Sequence, residues 1–377
     1  REIPPVAHFR TPNPRLGIKA TRFDVAAELR PWDSDGPLRA GVSSFGVGGT
    51  NVHLVLEEAP ARGASAAAVP GPQILPLSAT SPEALAEMAA RLADALETPD
   101  APALADAAFT LQDGRRQLAV RAAVVAEDHA QAAGRLRALS TDALAAVPGS
   151  PPRLAFLFPG QGAQYPGMGR GLYDAEPEFA RWIDRGLEAL GAEPGDRIRK
   201  VLIRGDAADP EAAQALRETR LTQPALFLVE FATAKLWEAR GVVPDALAGH
   251  SVGEFTAAAL SGVMSFEDAL RLIARRGELM QAQPTGAMLS VRAALDRLEP
   301  HLGPGLDLAA ANAPKMQVVA GPEEAIVALE ARLHGAGLPA KRLHTSHAFH
   351  SEMMEPVVAA LEDELQGLAL AAPRIPI

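Results

Sequence analysis

A serine set between two glycines, where a short apolar run meets a helix-like one, constrains this chain more than any other feature. The stretch ALAGHSVGEF, residues 246–255, reads Gly249-x-Ser251-x-Gly253, with ALAGH as a strand and EFTAAALSG as a helix that stops at Gly262. A strand that passes into a helix within one residue needs glycines beside the turn, because side chains there would hold strand and helix apart. The serine is forced into a strained backbone conformation, and its hydroxyl stands exposed at the end of a sheet. A tight turn with a capping serine has the same five-letter pattern. The strand before and the helix after favour a nucleophile, in an α/β architecture.

A serine hydroxyl is a weak nucleophile until a base takes its proton. His250 is adjacent in sequence, and its side chain should point away from that of Ser251. The run HTSHAFHS, residues 344–351, offers His344, His347 and His350. It lies where a second group of elements hands the chain back to the first, so a base there can face the turn across a cleft. Histidines spaced by three also suit a metal site, although an extended run splays alternate side chains and no carboxylate precedes Glu352. Helix caps or satisfied core histidines are the plainer alternative.

The chain has 377 residues, enough for two or three domains with real cores. It has no cysteine, which removes disulfides, thiol catalysis and cysteine-based zinc sites from these residues and suits a reducing, cytoplasmic setting. A net charge of −10, scattered along the chain, argues against nucleic acid as a partner. No apolar run suggests a membrane span or a signal peptide. With Arg1 at its start, the chain is expected to be a fragment or a processed product.

Composition breaks at 59–72 and 145–153, and more softly at 282–287, divide the chain. Residues 1–58 begin irregularly and end in VHLVLEE, a strand after the glycine-rich turn FGVGGTN; that turn lacks both GxGxxG spacing and a P-loop lysine. Residues 73–144 read strand, helix, short helix, strand, helix, with Ser81 as N-cap and Pro82 at the first helical position. From Leu154 a larger α/β unit begins with the strand LAFLFPG and the helix ALFLVEFATAKLWEAR. A further helix, SFEDALRLIARRGELMQA, has Ser265 as N-cap and Asp268 as an acidic capping-box partner. Residues 287–346 read β-α-β-β-α-β, the split pattern of a ferredoxin-like subdomain. A helix, EMMEPVVAALEDEL, follows, and APRIPI looks like a strand at its start.

Six motifs then carry a resemblance. FPGQGAQ (158–164), TQPALF (222–227), GHSVGE (249–254), RRGELM (275–280), ANAP (311–314) and HAFHS (347–351) stand in the order found in acyltransferase domains of modular type I polyketide synthases, relatives of malonyl-CoA:acyl carrier protein transacylase. HFRTPNPR and GVSSFGVGGTNVHLVLEEAP resemble the last segment of a ketosynthase, without its active cysteine and upstream histidines; residues 73–144 resemble the ketosynthase-to-acyltransferase linker domain. The resemblance implies an α/β-hydrolase-like large subdomain with an inserted ferredoxin-like small subdomain, beside a small α/β linker domain. The implied boundaries are a ketosynthase remnant at 1–58, a linker domain at 59–150 and an acyltransferase domain at 151–377. Within the last, the large subdomain takes 151–285 and 347–377 and the small one 286–346. By the resemblance the family's domain continues past the point where Ile377 stands, with further strands and helices that complete the sheet and help orient the histidine. These are expected either to lie on another chain, as a partner, or to be absent from this sequence.

By the same resemblance Ser251 is the nucleophile and His350 the base, with the histidine held by a backbone or amide oxygen. Gln161 and the Val252 N–H form the oxyanion hole. Arg276 grips the free carboxylate of a malonyl group, and Arg275 is an ordinary solvated arginine. Phe349, His347, Gln223, Asn312 and His250 contact the substrate, and Gln317 is a further candidate for the cleft. HAFH with Phe349, and Val252 after the serine, resemble the malonyl-selective version of these motifs, a preference over methylmalonyl and not an exclusion. The implied activity loads malonyl units from malonyl-CoA onto the phosphopantetheine of an acyl carrier protein through an acyl-serine. No permanently bound cofactor is expected, and the partners are that carrier protein and the other domains of a synthase. A serine hydrolase of esterase or thioesterase type and a methylmalonyl-selective acyltransferase are the alternatives, with a non-catalytic scaffold behind them.

Overall fold

The computed structural model describes residues 1–60, 71–140, 152–206 and 208–377, so most of both proline-rich linker stretches lies outside the described residues. The chain divides between residues 150 and 151 into two compact units.

In the first unit, β1 (Glu2–Ile3) pairs antiparallel with β2 (Arg30–Pro31). A regular hairpin follows: β3 (Arg39–Phe45) and β4 (Asn51–Glu57) pair from Arg39↔Glu57 to Phe45↔Asn51. The Gly46 N–H donates to Thr50 O at 2.8 Å, which makes FGVGGTN the turn its glycines predict. Next, β5 (Gln73–Ala79), α1 (Pro82–Leu96), α2 (Leu104–Asp113), β6 (Val120–Ala126) and α3 (His129–Arg137) give the strand–helix–helix–strand–helix order expected from sequence. Ser81 caps α1 by accepting from Ala84 N at 3.2 Å, with Pro82 at the first helical position. Leu75, Leu77, Leu85 and Leu136 close this unit's own core.

The second unit opens with β7 (Ala155–Phe158). A helical stretch follows that periodicity alone did not resolve: α4 (Arg170–Ala175), α5 (Pro177–Leu190), α6 (Ala192–Arg199), a π turn over Lys200–Arg204, and α7 (Pro210–Ala215). The next helix, α8 (Thr219–Ala239), begins six residues before the expected start and holds Pro224 inside it. Near the N-terminus that proline removes one intrahelical hydrogen bond, and the Thr222 hydroxyl ties the same turn by donating to Leu216 O at 2.6 Å. Then come β8 (Ala246–Gly249), α9 (Val252–Ser261) and α10 (Phe266–Gln281). Ser265 caps α10 as expected, accepting from Asp268 N at 3.1 Å while its hydroxyl donates to Asp268 Oδ2 at 2.7 Å.

Parallel pairing of β7 with β8, from Ala155↔Ala246 to Phe158↔Gly249, puts the ends of both strands side by side. Beyond β8 the chain's last residues come alongside, with the Leu247 N–H donating to Pro376 O at 2.8 Å. Phe158, Leu247 and Val252 sink into one apolar core with α5, α8, α9 and α10. Its centre is aromatic: Trp182, Phe227, Phe231 and Phe266 lie with ring centroids 4.6–5.8 Å apart.

The inserted part contains β9 (Ala287–Val291), α11 (Leu295–Leu298), β10 (Asp307–Ala313), β11 (Met316–Gly321), α12 (Glu323–Gly335) and β12 (Ala340–Arg342). Its sheet runs β10-β11-β9-β12 with every pair antiparallel, the strand order of a split β-α-β-β-α-β unit. The last strand is shorter than AKRLHTS suggested, because Thr345 N turns back to Leu343 O at 2.9 Å and bends the chain out of the sheet. After this bend the chain reaches α13 (Glu355–Gln366), packed on α10. Among the described residues no helix is long and apolar enough to cross a membrane.

Candidate active site

Ser251 sits between the end of β8 and the start of α9 with φ 54° and ψ −105°. That is a left-handed conformation costing about 1–3 kcal/mol for a residue with a side chain. The flanking glycines are sterically required. A methyl on Gly249 would lie 2.1 Å from Glu254 N, and one on Gly253 would lie 2.3 Å from Phe158 O. Because β7 and α9 press on the turn from both sides, the strain is held by the core and the hydroxyl cannot fold back into a capping role; Ser251 makes no side-chain cap.

His350 arrives from the other direction along the chain. Ala348 and Phe349 are buried with Met280, Met288 and Met354, which pins the segment between the two groups of elements. Beyond it, the Ser351 hydroxyl donates to Ala348 O at 2.6 Å and its oxygen caps the next turn. His350 is left at the crest of that turn with φ 59°. Its Nε2 lies 3.0 Å from Ser251 Oγ, across 99 residues of sequence. The serine therefore donates to the ring when Nε2 is unprotonated. Partial burial, with repulsion from Arg276 and His250, holds the imidazole below its ordinary pKa, so it is neutral and able to accept a proton at pH 7. Among the described residues no oxygen holds its Nδ1, so the expected orienting partner is not found there.

A cavity of about 170 Å³ opens over this pair, lined also by Gln161, Gln223, His250, Arg276, Asn312 and Phe349. Arg276, on α10, is only 7% exposed. Its Nη1 donates to Gln223 Oε1 at 2.8 Å and its guanidinium lies 5.6 Å from the Phe255 ring centroid. No carboxylate is within ion-pair reach of it among the described residues. Burial lowers its pKa to about 10, with the Glu254 carboxylate opposing, so it stays charged at neutral pH. A buried cation without a paired anion is an electrostatic vacancy for a carboxylate, which a guanidinium grips bidentately.

Val252 is fully buried at the first position of α9, where the backbone N–H groups lack intrahelical acceptors. Gln161 follows β7 at the same sheet end, and its buried Oε1 has no hydrogen-bond partner among the described residues. Arg275 is exposed and paired with Glu278 at 3.2 Å and Glu364 at 3.3 Å, as an ordinary surface arginine would be.

Two expectations change. His347 does not reach the cavity: it is 1% exposed, with Nδ1 2.7 Å from Ser346 Oγ and Nε2 3.1 Å from Gln283 O. Both ring nitrogens are engaged, so its place is to tie the loop to the end of α10. Gln317 likewise points away from the cleft, its amide donating to Ala313 O at 3.1 Å and Ala293 O at 3.4 Å. Sequence reading did not single out the apolar lining of Met288, Ala310, Val318 and Leu343, nor Phe255 under the arginine. Periodicity marks the first three as core strand positions and carries no sign of which cavity they face.

The acyl transferase domain family matches residues 155–377, and the ketoacyl-synthetase C-terminal extension matches residues 12–125. One component of the phenolphthiocerol/phthiocerol polyketide synthase of Mycobacterium tuberculosis (strain ATCC 25618 / H37Rv) is 42% identical over 395 residues, covering 100% of this chain and 26% of the relative. Erythronolide synthase EryA2 of Saccharopolyspora erythraea is 37% identical over 374 residues, covering 96% of this chain and 10% of the relative. The chain thus spans about a quarter or less of the length of these curated relatives. Among solved structures, the acyl transferase domain of SpnD in complex with 2-(pent-4-yn-1-yl)malonyl superposes with a TM-score of 0.72 at 38% identity, over 81% of this chain and 72% of that one. The malonyl CoA-acyl carrier protein transacylase of Coxiella burnetii superposes with a TM-score of 0.54 at 29% identity, over 60% of this chain and 72% of that one. Fold, motif order and sequence identity together make the chain a member of the acyl transferase domain family, in the form found in polyketide synthases, with a ketoacyl-synthetase C-terminal extension ahead of it.

Proposed function

We propose that this domain loads malonyl units onto an acyl carrier protein through an acyl-serine. The observation that carries the reading is a buried Arg276, without an anion among the described residues, lining the same small cavity as the Ser251–His350 pair. Malonyl groups end in a carboxylate that can occupy such a site, and acetyl or fatty acyl groups do not. Ser251 Oγ attacks the thioester carbonyl of malonyl-CoA while His350 Nε2 takes its proton. As the carbon–sulfur bond breaks, the imidazolium returns the proton to the departing thiolate, and free CoA leaves. The phosphopantetheine thiol of the carrier protein then attacks the acyl-serine by the same route in reverse. The Val252 N–H and Gln161 stabilise the negative oxygen at both stages, and Asn312, Gln223 and His250 line the path of the acyl group. Phe349, only 6% exposed in the cavity wall, leaves little room at the α-carbon, which favours malonyl over branched extenders. One methyl group is worth about 1–3 kcal/mol in such a pocket, so a preference is the expected result. Residues 1–58 read as the end of a ketosynthase, 59–150 as the linker domain and 286–346 as the small subdomain.

Intact-protein mass spectrometry with malonyl-, methylmalonyl- and acetyl-CoA tests the reading. The expected outcome is a malonyl adduct on Ser251, less methylmalonyl, and no adduct on Ser251→Ala. Arg276→Ala is expected to lose malonyl loading and to keep acetyl loading. A Ser251→Ala protein that still passes malonate to carrier protein sinks the acyl-serine, and equal loss of both acyl groups in Arg276→Ala sinks the carboxylate grip.

A further inference from the structure

A second, larger hollow lies behind the wall that carries the histidine motif. Leu343 and Thr345, the residues where the chain leaves β12, line both the active-site cavity and this neighbour of about 590 Å³. The two spaces are therefore separated by one short run of chain. The charges lining the larger one balance formally, Arg217 and Arg342 against Glu218 and Glu323, but they are not paired one to one. Its acidic residues are already neutralised: Glu218 is held by Arg197 at 3.0 Å and by Arg220 at 2.7 Å, and Glu323 is paired with Arg342. Arg217 and His344 are exposed in its lining, and neither has a side-chain hydrogen bond or ion pair among the described residues. On the partition itself, Thr345 Oγ1 is buried without a hydrogen-bond partner among the described residues. The cavity thus has a guanidinium and an imidazole without internal partners among the described residues, an apolar step at Leu343 and an orphaned hydroxyl on the wall it shares with the active-site cavity.

We propose that this cavity is a phosphate subsite, in which Arg217 and His344 hold the phosphate ester at the far end of a pantetheine thioester whose carbonyl lies at Ser251. The inference rests on the acyl-serine reading above and names the part of the substrate that reading leaves unplaced. A guanidinium with no internal partner binds a phosphate by charge-assisted hydrogen bonds, and an imidazole N–H adds a donor. The partition suits the intervening arm, which alternates apolar carbons with amides: Leu343 meets the former, and the Thr345 hydroxyl can donate to an amide oxygen. The phosphate comes from either of two sources, the diphosphate of CoA or the serine phosphodiester of a carrier protein.

The test compares phosphorylated with truncated thioesters on the full chain. Acylation of Ser251 is measured with malonyl-CoA and with malonyl-N-acetylcysteamine, which has no phosphate; transfer is measured with a phosphopantetheinylated carrier protein. Arg217→Ala is expected to lower kcat/KM for a phosphorylated substrate about tenfold, mostly through KM, with Arg217→Glu lower still and Arg217→Lys recovering part of the loss. His344→Ala should act in the same direction, and the truncated thioester should change less than twofold in every variant. A loss confined to malonyl-CoA assigns the subsite to CoA, one confined to transfer assigns it to the carrier protein, and each supports the proposal. Unchanged phosphorylated substrates in Arg217→Ala and Arg217→Glu, or equal losses on the truncated thioester, overturn it. A wild-type chain that forms no Ser251 adduct even from the truncated thioester overturns the acyl-serine reading instead.

Discussion

His350 works at the scale of single charges. Its pKa is depressed first by desolvation, then by the positive charges of Arg276 and His250, and Glu254 opposes them. In the proposed mechanism acylation needs the neutral ring, so the rate should rise with pH through a midpoint below the ordinary imidazole value and stay flat across neutrality. Removing the guanidinium removes a repulsion on the imidazolium, and the midpoint must then rise. Arg276→Ala, followed with an uncharged acyl donor, should move the acid limb of the pH–rate profile toward higher pH; an unmoved limb would show that the two groups do not sense each other. Ser251 carries the matching conformational statement, since its positive φ is tolerated only because Gly249 and Gly253 let β7, β8 and α9 close around it. Ser251, His350 and Arg276 were expected from the motifs and the resemblance they carry. The resemblance put His347 against the substrate, but its ring turns instead to the carbonyl of Gln283, 64 residues earlier, which no local pattern foretells.

At the scale of elements, the site depends on how α8 and α10 pack. Gln223 and Arg276 meet only because these two helices lie side by side under α5, and the aromatic cluster of Trp182, Phe227, Phe231 and Phe266 fixes that arrangement. Phe266, 6% exposed at the start of α10, touches all three other rings. Phe266→Ala is expected to destabilise the chain by about 3–5 kcal/mol and to lower the denaturation midpoint without altering the order of acyl preferences. A loss near zero in chemical denaturation would mean that the ring cluster does not set the helix packing. Capped helices such as α1 and α10 could be read directly, because Ser81 and Ser265 satisfy their own backbone N–H groups locally. The helices from α4 to α7 could not. Short segments rich in glycine and proline gain their helicity from the core they pack on, and a local pattern does not register that.

The whole molecule adds a buried titratable group to this frame. Glu230 on α8 is 8% exposed and accepts from the Thr256 hydroxyl on α9 at 2.7 Å, with its second oxygen unpartnered. Burial raises its pKa from 4.5 to about 7. The folded chain therefore keeps this proton at pH values where the unfolded chain has lost it, and stability falls as pH rises from about 4.5 to 7. Glu230→Gln keeps the acceptor for Thr256 and abolishes the titration. Relative to wild type, it should gain on the order of 2–3 kcal/mol between pH 5 and pH 8, read as a Tm difference that opens with pH. A constant difference would place the carboxyl in contact with solvent. The wider plan, an α/β unit with an inserted β-α-β-β-α-β sheet, was written in strand and helix periodicity. A serine elbow was expected from residue type at short spacing, and the roles of the histidine on the crossover and the arginine on a helix from the resemblance those motifs carry. Tertiary structure alone brought His350 to Ser251 across 99 residues, left Arg276 without an anion among the described residues, and set Arg217 and His344 around a hollow behind Thr345. Those outcomes depend on desolvation and on neighbours distant in the chain, and a linear pattern carries no information about either.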